Sequence, residues 1–503
     1  MSTLIIHGHF YQPPRENPWT GIIDNQPSAA PYHDWNERIH AECYGPNAFA
    51  RIGDGDNAQV VNNYANISFN FGPTLLSWLE EKYPRTYNQI LKADSESVRK
   101  RGGHGNAIAQ AYGHAILPLC NARDQLTQII WGQEDFRYRF RREPESLWLP
   151  ETACNNGTLD VLIEQGLRYV ILAPEQAKRV KLKGDWIDVN APTVDTSQPY
   201  RYLHSDGSGR SLAIFFYNGR LARAIAFENL LTSSRSLLER FVQVAQYRPL
   251  VHVATDGETY GHHFKFGDLC LAYALQVEAG QAGFNVTNYG EYLDQNPPEL
   301  EVQIEQGALG EGSSWSCAHG VGRWQENCGC STGGEPGWNQ AWRAPLRHAL
   351  NFLRDSAITH FEDMGSGLML DPWAARNDYV RVLLNNSLPA AALIRRHARR
   401  QLSAVEAKRA LTLLEIQRNS LLMFTSCGWF FSDLGGIETV QILRYAARLM
   451  DLQQQLGIES PRKEFLELLS MAQSNVSTFG SGAEIFLRSA EPMDLRTGQE
   501  VSR

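Results

Sequence analysis

Residues 146–155, Ser-Leu-Trp-Leu-Pro-Glu-Thr-Ala-Cys-Asn (SLWLPETACN), run from an apolar stretch straight into a carboxylate. Leu147, Trp148 and Leu149 read as a strand buried on both faces, Pro150 ends it, and Glu151 stands where strand meets loop. The same pattern recurs. "LIIHGHF" (4–10), "ISFNFG" (67–72), "AIAQAY" (107–112), "YVILAP" (169–174), "LAIFFYN" (212–218) and "VHVATDGE" (251–258) are short apolar runs that close on polar residues. Helix-period segments such as "PTLLSWLEEKYPRTYNQIL" and "GTLDVLIEQGL" lie between several of them. Strands alternating with helices mean βα units and a parallel sheet. Seven strands point to an α/β fold with a distorted (β/α)7 barrel.

The barrel is expected over residues 1–300. Residues 301–344 change character, being rich in Gly, Ser, Cys and Trp without a period, and read as an ordered loop insert. From 345 to 503 the segments "LRHALNFLRDSA", "AAALIRRHARRQLSAVEAKRALTLLEIQRNSLLMFTS", "IETVQILRYAARLMDLQQQLGI" and "RKEFLELLSMAQSN" are amphipathic. They predict an α-helical bundle domain that completes the cleft. A chain of 503 residues can bury cores of this size.

The net charge of -8 argues against a nucleic-acid partner, which would want clustered Lys and Arg. A neutral polyol substrate fits better, and 12 Trp and 19 Tyr supply flat faces of the kind that stack on sugar rings. The start "MSTLIIHGHF" holds only a three-residue apolar run, and no stretch approaches the roughly 20 apolar residues of a bilayer span. Neither leader nor membrane contact is expected. Eight cysteines without framework spacing suit a reducing cytoplasm.

In barrels of βα units the C-terminal strand ends carry the chemistry. His7 and His9, two apart and so on one strand face, end the first run, and the third leads on to His114. Glu151 ends the fourth run, and Asp256, Glu258, His262 and His263 follow the last. Each has a bland reading: Glu151 could cap the helix starting near Asn155, and Asp256 could begin a turn. As a pair on one barrel mouth they fit glycosidic cleavage, with one carboxylate ionised and the other protonated. Glu258 would keep its neighbour Asp256 protonated by like-charge repulsion.

At these residues the chain resembles glycoside hydrolase family 57, the α-amylase-like family. "HGHFYQPP" is similar to its first motif (His7, His9, Gln12), "AYGHAILPLC" to its second, "LWLPETA" to its third, "DGETYGHH" to its fourth and "MFTSCGWFFSDLGG" to its fifth. The resemblance implies a seven-stranded barrel followed by a helical domain. It implies Glu151 as nucleophile, Asp256 as acid/base, and Trp429 and Asp433 near the sugar. Retaining cleavage or transfer on α-1,4-glucans follows, of amylase, 4-α-glucanotransferase or branching type, with no cofactor required. His7, His9, His114 and His262 would then bond sugar hydroxyls, and Trp35, Trp148 and Trp429 would be stacking platforms, Trp148 fitting a core role equally well. Phe10 and Tyr11, standing between His9 and Gln12, and the aromatic loop 32–46 depart from the family pattern and suggest a subgroup with its own glucan preference.

"SCAHGVGRWQENCGC" offers Cys317, His319, Cys328 and Cys330. Their spacing, C-x-H-x8-C-x-C, is no standard zinc pattern, so reduced thiols are the first reading and a structural zinc the alternative. Trp315, Trp324, Trp338 and Trp342 suggest a lid over the glucan cleft. Two rivals stay open: a metal-dependent carbohydrate deacetylase with His7, His9 and an Asp as ligands, and a non-catalytic glucan-binding protein.

Overall fold

The computed structural model describes residues 2–53, 58–246, 248–384 and 387–491. The chain is mixed α/β and divides into two compact units, each assembled from separated segments. The first comprises Met1–Gln12, Asn25–Ala111 and Asp135–Trp315; the second comprises Pro13–Asp24, Tyr112–Glu134 and Ser316–Arg503.

In the first unit seven strands lie on the seven apolar runs: β1 (Ser2–Phe10), β2 (Ser68–Phe71), β3 (Ala109–Gln110), β4 (Leu147–Trp148), β5 (Tyr169–Leu172), β6 (Ser211–Phe216) and β7 (Leu250–Asp256). Strand β1 is parallel to β7 on one side and to β2 on the other. A parallel bridge, Phe69 to Ala107, links β2 to the approach of β3, which pairs in parallel with β4. A second parallel bridge, Ser146 to Tyr169, leads to β5, and β5 runs parallel to β6. Just past β6, Asn218 N–H donates to His252 O of β7 (2.9 Å). Strands buried on both faces need apolar residues throughout, which explains the unbroken runs and makes each interior polar residue informative.

Seven further strands among the described residues of this unit lack such runs, two of them the antiparallel pair Ala50–Ile52 and Gln59–Val61. Ala177–Leu182 and Asp185–Asp188 form an antiparallel hairpin that joins, through Leu300–Ile304 and Tyr200–Leu203, to β6. Asp185–Asp188 is exposed along its length. Phe284–Val286 pairs with the start of β1.

The second unit is helical: Arg343–Leu368, Pro372–Leu383, Ala390–His397, Ala404–Leu422, Ile437–Gln455 and Arg462–Ser470. The amphipathic stretch 390–426 breaks at 398–403, where Ser403 and Glu406 form a capping box that starts a new helix. Among the described residues no helix is long and apolar enough to cross a membrane.

Candidate active site

Strand register sets the site. His9 lies opposite Asp256 on β7 and opposite Asn70 on β2, and Gln110 lies opposite Trp148. Asn70 accepts from His7 Nε2 (3.0 Å) and donates to His9 Nδ1 (2.9 Å) and to Gln110 Oε1 (2.8 Å). The other nitrogen of His7 sits 3.0 Å from Ser68 Oγ. His7 is therefore saturated and fully buried, and burial holds it neutral, near a pKa of 3. It positions other groups, and neither ring nitrogen is left to bond a sugar hydroxyl or a metal ion. Because His9 accepts at Nδ1, its ring proton is on Nε2.

Trp148 stacks on both imidazoles, 4.8 Å from His7 and 4.9 Å from His9. At 1% exposure it is no open platform. Its indole N–H and the Gln110 amide nitrogen are buried without a hydrogen-bond partner among the described residues.

Glu151 follows at once in a left-handed conformation (φ 59°, ψ 20°), and Thr152 after it is left-handed too (φ 50°). Such backbone persists only where its surroundings fix it. Thr152 Oγ1 donates to Gln176 Oε1 (2.9 Å), whose amide returns a bond to Thr152 O (2.9 Å). Trp315 holds Glu151 twice, its backbone N–H on the carbonyl (3.0 Å) and its indole N–H on Oε2 (3.0 Å). The helix that Glu151 could have capped is capped by Asn155, which accepts from Thr158 N–H (2.9 Å).

Asp256 makes no cap bond to the turn it precedes. Its side chain keeps open surface at the strand end, yet the protein around it displaces enough water to raise its pKa to about 7, with the Glu151 charge as the second cause. Glu258 is buried and accepts at Oε1 from Tyr44 O–H (2.6 Å) and Tyr11 N–H (3.0 Å). Burial first, then the Asp256 charge, lifts it to about 8. Near neutrality Glu258 is thus itself uncharged. The expected repulsion is reversed: Asp256 helps keep Glu258 protonated, while Asp256 is raised by burial and Glu151.

The loop 32–46 is tied to the turn after β7. Cys43 Sγ faces Gly257 O (3.4 Å), Glu42 pairs with His262, and Trp35 meets the His262 ring edge-on at 6.1 Å. Trp35 also bonds Ser28 and carries the Arg38 guanidinium 4.9 Å from its ring. Gln12 is half-buried, at the end of the segment that carries β1.

The second unit holds His114, Trp429 and Asp433. His114 is buried, with Nδ1 2.6 Å from Ser426 Oγ and a pKa pushed down to about 3 by burial. Trp429 is fully buried: Arg347 lies 4.2 Å from its ring, Phe424 stacks on it, and its N–H donates to Arg343 O. Asp433 accepts from Gly435, Ser474 and Asn475 and fastens a loop. All three have partners within that unit, and Trp429 offers no face for stacking. Trp324 and Trp342 are likewise buried, so neither forms a lid surface. Cys317, His319, Cys328 and Cys330 converge.

Asn70, Gln110, Tyr44 and Tyr217 belong to the same surroundings without standing out as site residues in the sequence. Asn70 and Gln110 were visible as amides inside apolar runs. Tyr217 follows β6, its ring 6.4 Å from that of Trp315; burial, then Glu175 and Asp256, keep its phenol protonated. Tyr44 had no signal.

Two carboxylates that feel each other at the strand ends, one shifted close to neutrality, are the equipment of enzymes that work on glycosidic bonds. The chain belongs to glycosyl hydrolase family 57, whose profile matches residues 37–305, and so to the glycoside hydrolases and transglycosidases. A second profile, "Domain of unknown function (DUF3536)", matches residues 338–501. Alpha-amylase 1 of Dictyoglomus thermophilum is 21% identical over 195 residues, 39% of this chain and 26% of that protein, so the match spans about a quarter of the relative. In fold the chain is similar to an exo-type maltose-forming amylase from Pyrococcus sp. ST04 (TM-score 0.69, 16% identity, 99% of this chain and 93% of that one). It is also similar to a family 57 branching enzyme from Pyrococcus horikoshii (TM-score 0.57, 14% identity, 98% of each chain).

Proposed function

We propose that the chain is a retaining enzyme of α-1,4-glucans that cleaves or transfers glucosyl units through a covalent glycosyl-enzyme. The carrying observation is the asymmetry of the acids: Asp256 is held near neutrality by burial and by Glu151, while Glu151 accepts the Trp315 indole N–H. The names of the relatives, an amylase and a branching enzyme, support the substrate class. The succession β7-β1-β2-β3-β4-β5-β6, with Asn218 returning to β7, supports a seven-stranded (β/α) barrel.

In the first step Glu151 attacks the anomeric carbon, and the bond to the leaving oxygen breaks as Asp256 protonates that oxygen. In the second, ionised Asp256 takes a proton from water or a sugar hydroxyl, whose oxygen displaces Glu151 from the same carbon. Two inversions retain the configuration.

Glu151→Gln tests this. Turnover of maltooligosaccharides should vanish while amylose binding and the melting temperature stay close to the parent's. Near-parental turnover in that variant would remove Glu151 from the chemistry. Product chromatography on the parent then separates hydrolysis, chain transfer and α-1,6 branching.

A further inference from the structure

In the second unit three sulfurs and one imidazole meet at a point. Cys317 Sγ lies 3.8 Å from Cys328 Sγ and 3.8 Å from Cys330 Sγ, and Cys330 Sγ lies 3.5 Å from His319 Nδ1. All four ligand atoms fall within 4.8 Å of one another, the only such grouping among the described residues. A tetrahedron with bonds of about 2.3 Å to sulfur and 2.0–2.1 Å to nitrogen has edges of about 3.8 Å and 3.5 Å. A disulfide fits less well. It would draw two sulfurs to about 2.05 Å and leave the third thiol and the imidazole with no role.

The chain reaches this arrangement by two reversals. A 3-10 turn at Gly322–Trp324 brings the Cys328 end back towards Cys317. Gly329, at φ 80° with open space around it, then turns the backbone so that Cys328 and Cys330 face one point.

Arg343 provides an independent sign of negative charge. It is fully buried at the start of the Arg343–Leu368 helix. Its Nη1 donates to Cys330 O (2.8 Å) and faces Cys328 Sγ (3.9 Å), while Nε and Nη2 have no hydrogen-bond partner among the described residues. No carboxylate bonds it among the described residues; the charged groups that act on it are Arg323 and the three cysteines. A buried guanidinium without a countercharge is costly. Three thiolates, a neutral imidazole and a divalent ion sum to one negative charge, which matches it.

We propose that Cys317, His319, Cys328 and Cys330 bind one zinc ion as a closed structural site that fastens the 317–330 loop to the Arg343 end of the helix. Four protein ligands fill the tetrahedron and leave no position for water or substrate, so the ion takes no part in the sugar chemistry. It adds a fixed crosslink to a Gly- and Ser-rich loop whose apolar anchors are Val321 and Trp324. Binding releases the thiol protons, and the metal's affinity for the folded chain becomes stability of the loop.

The test uses the full chain, purified without a polyhistidine tag from zinc-replete cells. Elemental analysis should give about one zinc per chain, and zinc-edge X-ray absorption a shell of three sulfurs and one nitrogen. Cys328→Ser and Cys330→Ser should each lower the zinc content about tenfold or more. Zinc-free protein whose three thiols react freely in the native state overturns the proposal. So does a shell of oxygen and nitrogen, or a zinc content that survives both substitutions. The absorption measurement on the parent decides even if the serine variants fail to fold.

Discussion

Glu258→Gln isolates the energetic cost of the buried acid beside the proposed catalytic pair. Burial and the Asp256 charge move Glu258 from 4.5 to about 8, and the residue is only 6% exposed. The folded state therefore binds this proton more tightly than the unfolded chain does. Stability from this group is complete below the unfolded value near 4.5 and is lost as pH rises through the folded value near 8. At about 1.4 kcal/mol per tenfold change in proton affinity, the whole loss is about 5 kcal/mol. About 1 kcal/mol of it is gone by pH 5 and nearly all by pH 9. Glutamine keeps an oxygen for the Tyr44 and Tyr11 donors and cannot ionise. In urea unfolding followed by tryptophan fluorescence, the variant should be close to the parent at pH 5. At pH 9 it should exceed the parent by up to about 4 kcal/mol more, less whatever water entry relieves on ionisation. A difference that stays constant between the two pH values, or shrinks, refutes the reasoning.

Asp256 as general acid predicts a kcat/KM that falls about tenfold per pH unit above about 7, with Asp256→Asn losing both that limb and roughly 10²–10⁴ of the rate; initial rates on maltooligosaccharides from pH 5 to 9 check it. Gly257→Ala would place a methyl 2.2 Å from Cδ1 of the fully buried Phe10 ring, which overpacking arguments value at about 1–3 kcal/mol. A lowered melting temperature is the expected result, and an unchanged one contradicts the packing described.

The seven interior strands were legible because strands buried on both faces admit little but apolar residues, and β3 and β4 were found although each is only two residues long. That same criterion does not reach Ala177–Leu182 and Asp185–Asp188, whose mostly exposed side chains blend into polar surroundings. The acids at 151 and 256 could be read from their places at run ends. The direction of charge coupling between Asp256 and Glu258 could not, since it depends on the water each retains. Likewise, spacing along the chain said little about Cys317 and Cys328, because the turn that joins them closes through Gly322–Trp324 and follows no standard ligand pattern. His114 and Trp429 look like site residues by motif, yet Ser426, Arg347 and Phe424 occupy them.

The segment 313–315 acts as a ruler. Ser313 bridges Cys154, and two residues on Trp315 bonds both the carbonyl and the carboxylate of Glu151. Neighbouring side chains on an extended segment point to opposite sides, so adding or removing one residue between these anchors would turn the indole away from the carboxylate it steadies. The step from 313 to 315 is therefore fixed at two, while the loop before it is held separately, through Gln306 and Gly310, to Asn156 and Asn155.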